Sequence, residues 1–173
     1  AEGWKPLSAP ECEFYFIAKP EDYVSEFQPP SGRAGLTRET LHPMGLDAID
    51  RFDDLFVALY SACEAQGLQI GTLTQEAGPA QYEVNFNHSD ALDAADRAFL
   101  FKRTMRRIGL DHGVVASFMA KPYKTHYGSA MHLHQNVLDL ESVDNLFADE
   151  AGYSDWLRSH VAGLQTYLPQ AMP

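Results

Sequence analysis

The segment Glu11-Cys12-Glu13-Phe14-Tyr15-Phe16-Ile17-Ala18 constrains the fold of this chain more than any other. It is short, apolar and dense in aromatics, which predicts a buried β-strand over 11–18. Side chains at i and i+2 of a strand project to one face, so Glu11 and Glu13 share a side. Two carboxylates placed together among aromatic neighbours repel each other unless a cation or a base lies between them. The other reading is an edge strand with one solvent face.

The rest of the chain supplies short elements around that strand. Residues 1–10, with Pro6 and Pro10, read as an extended entry. Residues 19–45 hold Pro20, Pro29, Pro30, Gly32, Gly35, Pro43 and Gly45 and predict a long irregular excursion. Phe52, Leu55, Phe56, Leu59 and Cys63 make one apolar stripe and predict a helix over 46–66, stopped by Gly67. Strands follow at 68–74 and 81–87, joined through a turn at Gly78-Pro79. Ser89 or Asp90 can cap a helix over 90–112. Its apolar residues fall on two faces (Leu92, Ala95 and Phe99, then Phe101, Met105 and Ile108), which predicts burial on both sides. Lys102, Arg103, Arg106 and Arg107 suit the negative end of that helix and read as a solvated face. Strands at 114–119 and 129–138 flank a loop over 120–128, and 139–152 is an acidic connection. Ser154 caps a last helix with the stripe Leu157, Val161, Leu164 and Leu168, and Pro169 is expected to break it. The order predicts an α+β fold: an antiparallel or mixed sheet with helices on one face.

Composition narrows the class. The length of 173 residues suits one domain or one large piece of one. With 24 acidic and 13 basic side chains the net charge is −11, which disfavours nucleic acid and favours cations. Cys12 and Cys63 form neither a disulfide framework nor a CxxC pair and read as buried thiols. The apolar stretches are too short to span a membrane and no signal segment opens the chain, so the expected location is cytoplasmic. Ala1 and Pro173 read as cuts rather than natural termini.

Three pairings could carry chemistry. Glu11 and Glu13 share a strand face; Glu76 and Glu83 flank a turn and can converge at one end of the sheet; His132 and His134 form an HxH pair on a strand. The second and third pairs are ordinary alone; the first is less so, among its aromatic neighbours. Together they amount to carboxylate-dominated ligation with one or two imidazoles, which suits Mg²⁺ or Mn²⁺ better than zinc. Two such ions side by side suit phosphoryl transfer from ATP. The sequence has no Walker A motif and no GxGxxG, so a nucleotide must bind by another scheme.

Three blocks then resemble one family. PECEFYF resembles the P-E-x-E-F-[FY]-x-F strand of glutamine synthetases, EAGPAQYEVNF their E-x-x-P-[GS]-Q-[FYW]-E segment, and FMAKPYKTHYGSAMHLHQN their F-x-x-K-P … G-S-[GA]-x-H-x-H-x-S segment. The blocks occur in the family's order, and the resemblance runs from about Trp4 to Pro169. The flavour of QYEVN, FMAKPY and DALDAADRAFLFKR is similar to the γ-glutamylpolyamine synthetase branch.

The resemblance implies a carbon–nitrogen ligase: ATP phosphorylates the γ-carboxylate of glutamate, and ammonia or an amine displaces the phosphate. It implies two divalent ions, Mg²⁺ or Mn²⁺, the first held by Glu13, Glu76 and Glu83 and the second by Glu11 and His132. It places His134 and Asn136 toward ATP, and Tyr127 and Gly128 at the glutamate pocket; Lys121 belongs to the motif without a chemical role. It also implies that this chain is one part of a catalytic barrel, without the β-rich N-terminal domain and the C-terminal half of family members, which assemble as homo-oligomers. Three positions depart from the pattern: Tyr127 stands before the glycine where a small or polar residue is usual, Asn136 replaces a serine, and Ala80 replaces Gly or Ser. These departures leave open a non-catalytic metal-binding or oligomer-forming remnant. A cupin-like oxidoreductase using His132, His134 and Glu141 is a further, weaker alternative.

Overall fold

A computed structural model of the chain describes residues 3–20, 22, 26–32, 45–150 and 152–171. The sheet is built around one long strand, β1 (Trp4–Ala18), with β2 (Ile70–Gln75), β3 (Gln81–Phe86), β4 (Val114–Ser117) and β5 (Met131–Asp139). Every pairing is antiparallel, and the order is β2-β3-β1-β4, with β5 also paired to β1. β3 takes one edge of β1 over Glu11–Tyr15. β5 and β4 lie end to end along its other edge, over Trp4–Cys12 and Tyr15–Ala18. Helices α1 (Leu46–Asp50), α2 (Asp53–Ala65), α3 (Ala91–Asp111) and α4 (Asp155–Ala171) and a small hairpin, β6 (Ala148–Asp149) and β7 (Gly152–Tyr153), complete the described fold.

Period two sorts the two faces of β1. Cys12, Phe14 and Phe16 enter the main core with Leu55, Phe56 and Leu59 of α2, Phe101 and Met105 of α3, and Tyr82 and Val84 of β3. The ring of Phe16 lies 5.0 Å from Phe52 and 5.3 Å from Tyr82. α4 touches the same face through Trp4–Trp156 and Gln135–His160, so the helices lie on one side of the sheet. Glu11 and Glu13 belong to the opposite face, where Tyr15, Ile17 and Tyr123 form a smaller cluster. Both cysteines are free and buried.

Four expectations change. The first strand begins at Trp4, so the prolines sit inside it rather than in an entry segment. The ladder tolerates them because of parity. Even-numbered amides of β1, such as Ser8 and Phe16, turn toward Ser89 and Ala80, whereas the odd-numbered Glu13 turns toward Ala130 on the β5 side. Pro6 and Pro10 are even, so neither withholds a donor from β5. The helix over 46–66 is two helices: Phe52, at φ −126 and ψ 27, leaves helical geometry to bury its ring, and the Tyr82 hydroxyl donates to Ala48 O at 2.7 Å. α3 buries one face only: Leu92 and Phe99 are 72% and 69% exposed, turned away from the sheet. Pro169 does not end α4, which runs two residues further; a proline in a last turn removes one bond and leaves little helix beyond it to disrupt.

Other expectations survive in detail. Asp90 accepts from Asp93 N at the start of α3, and Ser154 Oγ accepts from Leu157 N at the start of α4. The basic cluster of α3 lies at the surface, Arg107 paired with Asp111 and Arg106 and Lys102 set over the Phe118 ring. Much of the 19–45 excursion, including Gly35 and Pro43, lies outside the described residues. No helix among the described residues is long and apolar enough to cross a membrane.

Candidate metal centre

The face of the sheet opposite the helices gathers the acidic and imidazole side chains in rows set by register. Glu13 stands directly opposite Glu83 across β1–β3, and Glu11 stands opposite Asn85 on that side and His132 on the other. Thr74 pairs with Glu83, and Glu76 N donates to Gln81 O at 2.9 Å, which carries Glu76 onto the same face two positions along. His134 and Asn136 follow His132 at intervals of two, opposite Ala9 and Leu7. Strand alternation and pairing register together bring every metal- and nucleotide-side candidate to one face.

The tightest group crosses the two expected ligand sets. One ligand atom each from Glu11, Glu83 and His132 lie within 4.8 Å of one another. Both oxygens of Glu11 are engaged: Oε2 lies 3.2 Å from His132 Nδ1 and Oε1 lies 2.7 Å from His134 Nε2. His134 thus rests on a carboxylate in this structure, and both imidazoles remain more than half exposed. Glu13 is tied differently, its Oε2 accepting from Gln81 Nε2 and from Ala130 N, each at 3.1 Å. Asn85 Nδ2 donates to Glu83 Oε1 at 3.2 Å, while Asn85 Oδ1 is buried without a hydrogen-bond partner.

Electrostatics mark the face as short of positive charge. Burial raises the Glu83 carboxyl above its ordinary value; Glu11 and Glu13 add to the rise, and the Asn85 hydrogen bond and His132 oppose it. Burial likewise raises Glu76, with Glu13 and Glu83 adding to it and the Ala77 amide and His132 working against it. Burial also pushes the Tyr15 hydroxyl up to about 12, with Glu13 and Glu76 contributing. Mutually repelling carboxylates call for a compensating positive charge, and a set of oxygens with an imidazole suits a hard divalent ion. The residues present fit such an ion.

The loop expected to meet substrate is held against this face by its backbone. Tyr15 Oη donates to Tyr127 O at 2.7 Å, and Gln81 Nε2 donates to Gly128 O at 3.0 Å. The Tyr127 ring is 66% exposed, so its bulk points outward in this structure. A side chain at position 128 would meet Ala120 O at 2.8 Å, so a glycine is needed there by the loop's own packing. Lys121 Nζ donates to His126 O within the same loop. Glu141 follows the far end of β5, where its N–H donates to Asp139 Oδ1. From His132 to Asp139 the strand advances roughly 23 Å at about 3.3 Å per residue. That separation removes the cupin-like triad of His132, His134 and Glu141. Gln81 and Asn85 were not singled out as site residues from the sequence, although their strand alternates with Glu83 and placed them on its face.

Comparison with known proteins agrees with this architecture. A family model described as "Glutamine synthetase, catalytic domain" matches residues 1–173. The chain is 32% identical over 172 residues to gamma-glutamylputrescine synthetase PuuA of Escherichia coli strain K12, covering 98% of this chain and 36% of that protein. It is 32% identical over 158 residues to glutamine synthetase of Mycolicibacterium smegmatis, covering 90% of this chain and 33% of that protein. A solved structure described as apo GmaS without ligand superposes with a TM-score of 0.79 at 27% identity, over 96% of this chain and 38% of that one. The chain thus spans about a third of the length of the curated relatives it matches. Over that third, the fold, the order of the sequence blocks and the family match lead to one conclusion: the chain belongs to the glutamine synthetase family, within its catalytic domain.

Proposed function

We propose that this chain carries the divalent-cation face of an ATP-dependent carbon–nitrogen ligase that joins the γ-carboxylate of glutamate to ammonia or an amine. The observation that carries the reading is the convergence of Glu11, Glu83 and His132 across three strands, amid carboxylates raised by burial and, secondarily, by one another. Glu11, Glu83 and His132 hold one ion. Glu13 stands opposite Glu83, and Glu76 feels the charge of both, so these two carboxylates are offered to a second ion with Glu83 shared between the sets. Mg²⁺ or Mn²⁺ fits this donor set and, when bound, offsets phosphate and acyl-oxygen charge. His134 holds Glu11 in place. Asn136, further along the same face, is assigned to the nucleotide, and Gly128, whose carbonyl accepts from Gln81, is assigned to the acyl substrate.

In the reaction, a γ-carboxylate oxygen attacks the γ-phosphorus of ATP and ADP leaves. The nitrogen nucleophile then attacks the acyl carbon, phosphate leaves and the nitrogen loses a proton. Groups from outside the matched third of the relatives complete the phosphate and glutamate sites, and the assembled oligomer is the active form. Relatives named for ammonia-type and putrescine-type products match this chain equally in identity, which supports the ligase class and leaves the amine to experiment.

The test is a calorimetric Mn²⁺ titration of the chain and of its Glu83→Gln variant, followed by ATP. Binding in the parent that weakens at least tenfold in the variant supports the reading; a parent that binds no Mn²⁺ at millimolar concentration overturns the cation face. In a protein that also carries the regions outside the matched third, ADP release that requires glutamate together with either ammonia or putrescine identifies the nucleophile.

A further inference from the structure

Gln81 joins the two halves of this site. It is 1% exposed, and its amide is engaged at both ends. Nε2 donates to Glu13 Oε2 at 3.1 Å and to Gly128 O at 3.0 Å, and Oε1 accepts from Gly78 N at 2.9 Å. Its own backbone closes the 77–80 turn, with Gln81 N donating to Gly78 O at 3.1 Å and Glu76 N donating to Gln81 O at 2.9 Å. One side chain therefore touches a cation-side carboxylate, the turn that carries Glu76, and the carbonyl of the substrate-side loop.

The geometry leaves little slack. A side-chain amide has two N–H donors on one nitrogen, and here each has its own acceptor. Rotating the amide to follow one acceptor loosens the other and strains the bond from Gly78. Gly78 is confined in turn: a Cβ there would lie 1.9 Å from Tyr15 Oη and 2.6 Å from Gln81 Oε1. Tyr15 Oη also holds the loop, through Tyr127 O. Ala130 N, one strand over, shares Glu13 Oε2 with Gln81. Among the described residues no hydrogen bond reaches Glu13 Oε1, so that oxygen is the one free to turn toward a cation.

We propose that Gln81 is a positioning residue that couples cation occupancy at the carboxylates to the shape of the Tyr127–Ala130 loop. When Glu13 swings toward an ion, Gln81 Nε2 and Ala130 N follow the shared oxygen, and Gly128 O moves with the same amide. Cation and acyl substrate then order each other, each binding more tightly after the other. This rests on the reading of the face as a divalent-cation site and adds a route from that site to the substrate loop.

The experiment is a Mg²⁺ titration of the ¹⁵N-labelled chain followed by NMR, with a Gln81→Met variant beside it. In the parent, saturating Mg²⁺ shifts the Glu11, Glu83 and His132 amides, the Gln81 side-chain NH₂ pair and the Gly128, Ser129 and Ala130 amides along one binding curve. In Gln81→Met, which keeps length and burial, the response at Gly128 and Ser129 disappears and the Mg²⁺ dissociation constant rises roughly tenfold, the lower end for loss of a ligand's supporting contact. Shifts at Glu11, Glu83 and His132 that leave Gln81 and Gly128–Ala130 unmoved overturn the coupling alone. No shift at Glu11, Glu83 or His132 overturns the cation reading and the coupling with it. The Gln81 NH₂ signal of the unmutated chain decides the matter even where the variant fails to fold.

Discussion

Glu13 and Glu83 face each other directly across the β1–β3 ladder, on a face that also holds Glu11 and Glu76. Like charges directly opposite in a sheet are destabilising, and opposed pairs shift stability by roughly 0.2–1 kcal/mol. In the cation-free chain Glu83→Gln should therefore raise stability by about 0.5–1 kcal/mol. With Mn²⁺ present the order reverses, because the parent gains binding energy that the variant lacks. Thermal melts in chelator and in excess Mn²⁺ check both signs.

The same residue sets a pH dependence. The Glu83 carboxyl is raised above its ordinary value of 4.5, so the folded state holds this proton more tightly than the unfolded state. Its favourable contribution is complete below 4.5 and is lost as pH rises through the raised value. In chelator, the stability of the parent relative to Glu83→Gln should fall on going from pH 4 to pH 7. A difference that stays flat across that range, measured by urea unfolding, contradicts the sign.

Two neighbouring positions of one turn should respond in opposite directions. Ala80 has φ +52, a left-handed conformation that strains any residue with a Cβ. Ala80→Gly should stabilise by about 0.5–1 kcal/mol, since Gly adopts this φ freely at some entropic cost. Gly78→Ala drives a methyl into Tyr15 Oη and Gln81 Oε1 and should cost at least about 2 kcal/mol. Chemical denaturation of the two variants beside the parent reads the contrast.

Removing each imidazole should separate a ligand from its support. His132→Ala deletes a member of the converging trio and should weaken Mn²⁺ binding a hundredfold or more, whereas His134→Ala loosens Glu11 and should weaken it about tenfold. Calorimetry of the two variants distinguishes them; equal losses would place His134 on the ion.

Cys63 gives a signal at the other end of the pH scale. Burial pushes its thiol from 9.0 to about 11, so its contribution to stability is complete below pH 9 and is lost as pH rises toward 11. The parent should lose stability relative to Cys63→Ala across that interval. In the native state, a thiol reagent at pH 8 should label Cys12 and Cys63 only as fast as the chain opens, because both are buried.

Strand parity was legible in the sequence because it is local. Alternation in 11–18 and 81–87 placed Glu11 with Glu13 and Glu83 with Gln81, and the same rule joined His132 to His134. The stripe of α2 was legible for the same reason, and it is buried at Leu55, Phe56, Leu59 and Cys63. The two apolar faces of α3 and the stripe of α4 were equally clear, yet Phe99 is exposed and α4 has no buried residue. A periodic pattern says which residues share a face; it does not say whether another part of the molecule covers that face.

What the sequence determined by itself is therefore the family, the order of the strands and the side of each strand on which its chemistry lies. What only the tertiary structure decided is which residue faces which. The register of β1 against β3 and β5 sets Glu83 with Glu11 and His132 rather than with Glu13 and Glu76 alone, turns His134 onto Glu11, and brings Gln81 between Glu13 and Gly128. Those pairings join positions up to 123 residues apart. They depend on how the aromatic core locks three strands into one register, and no local period can encode that.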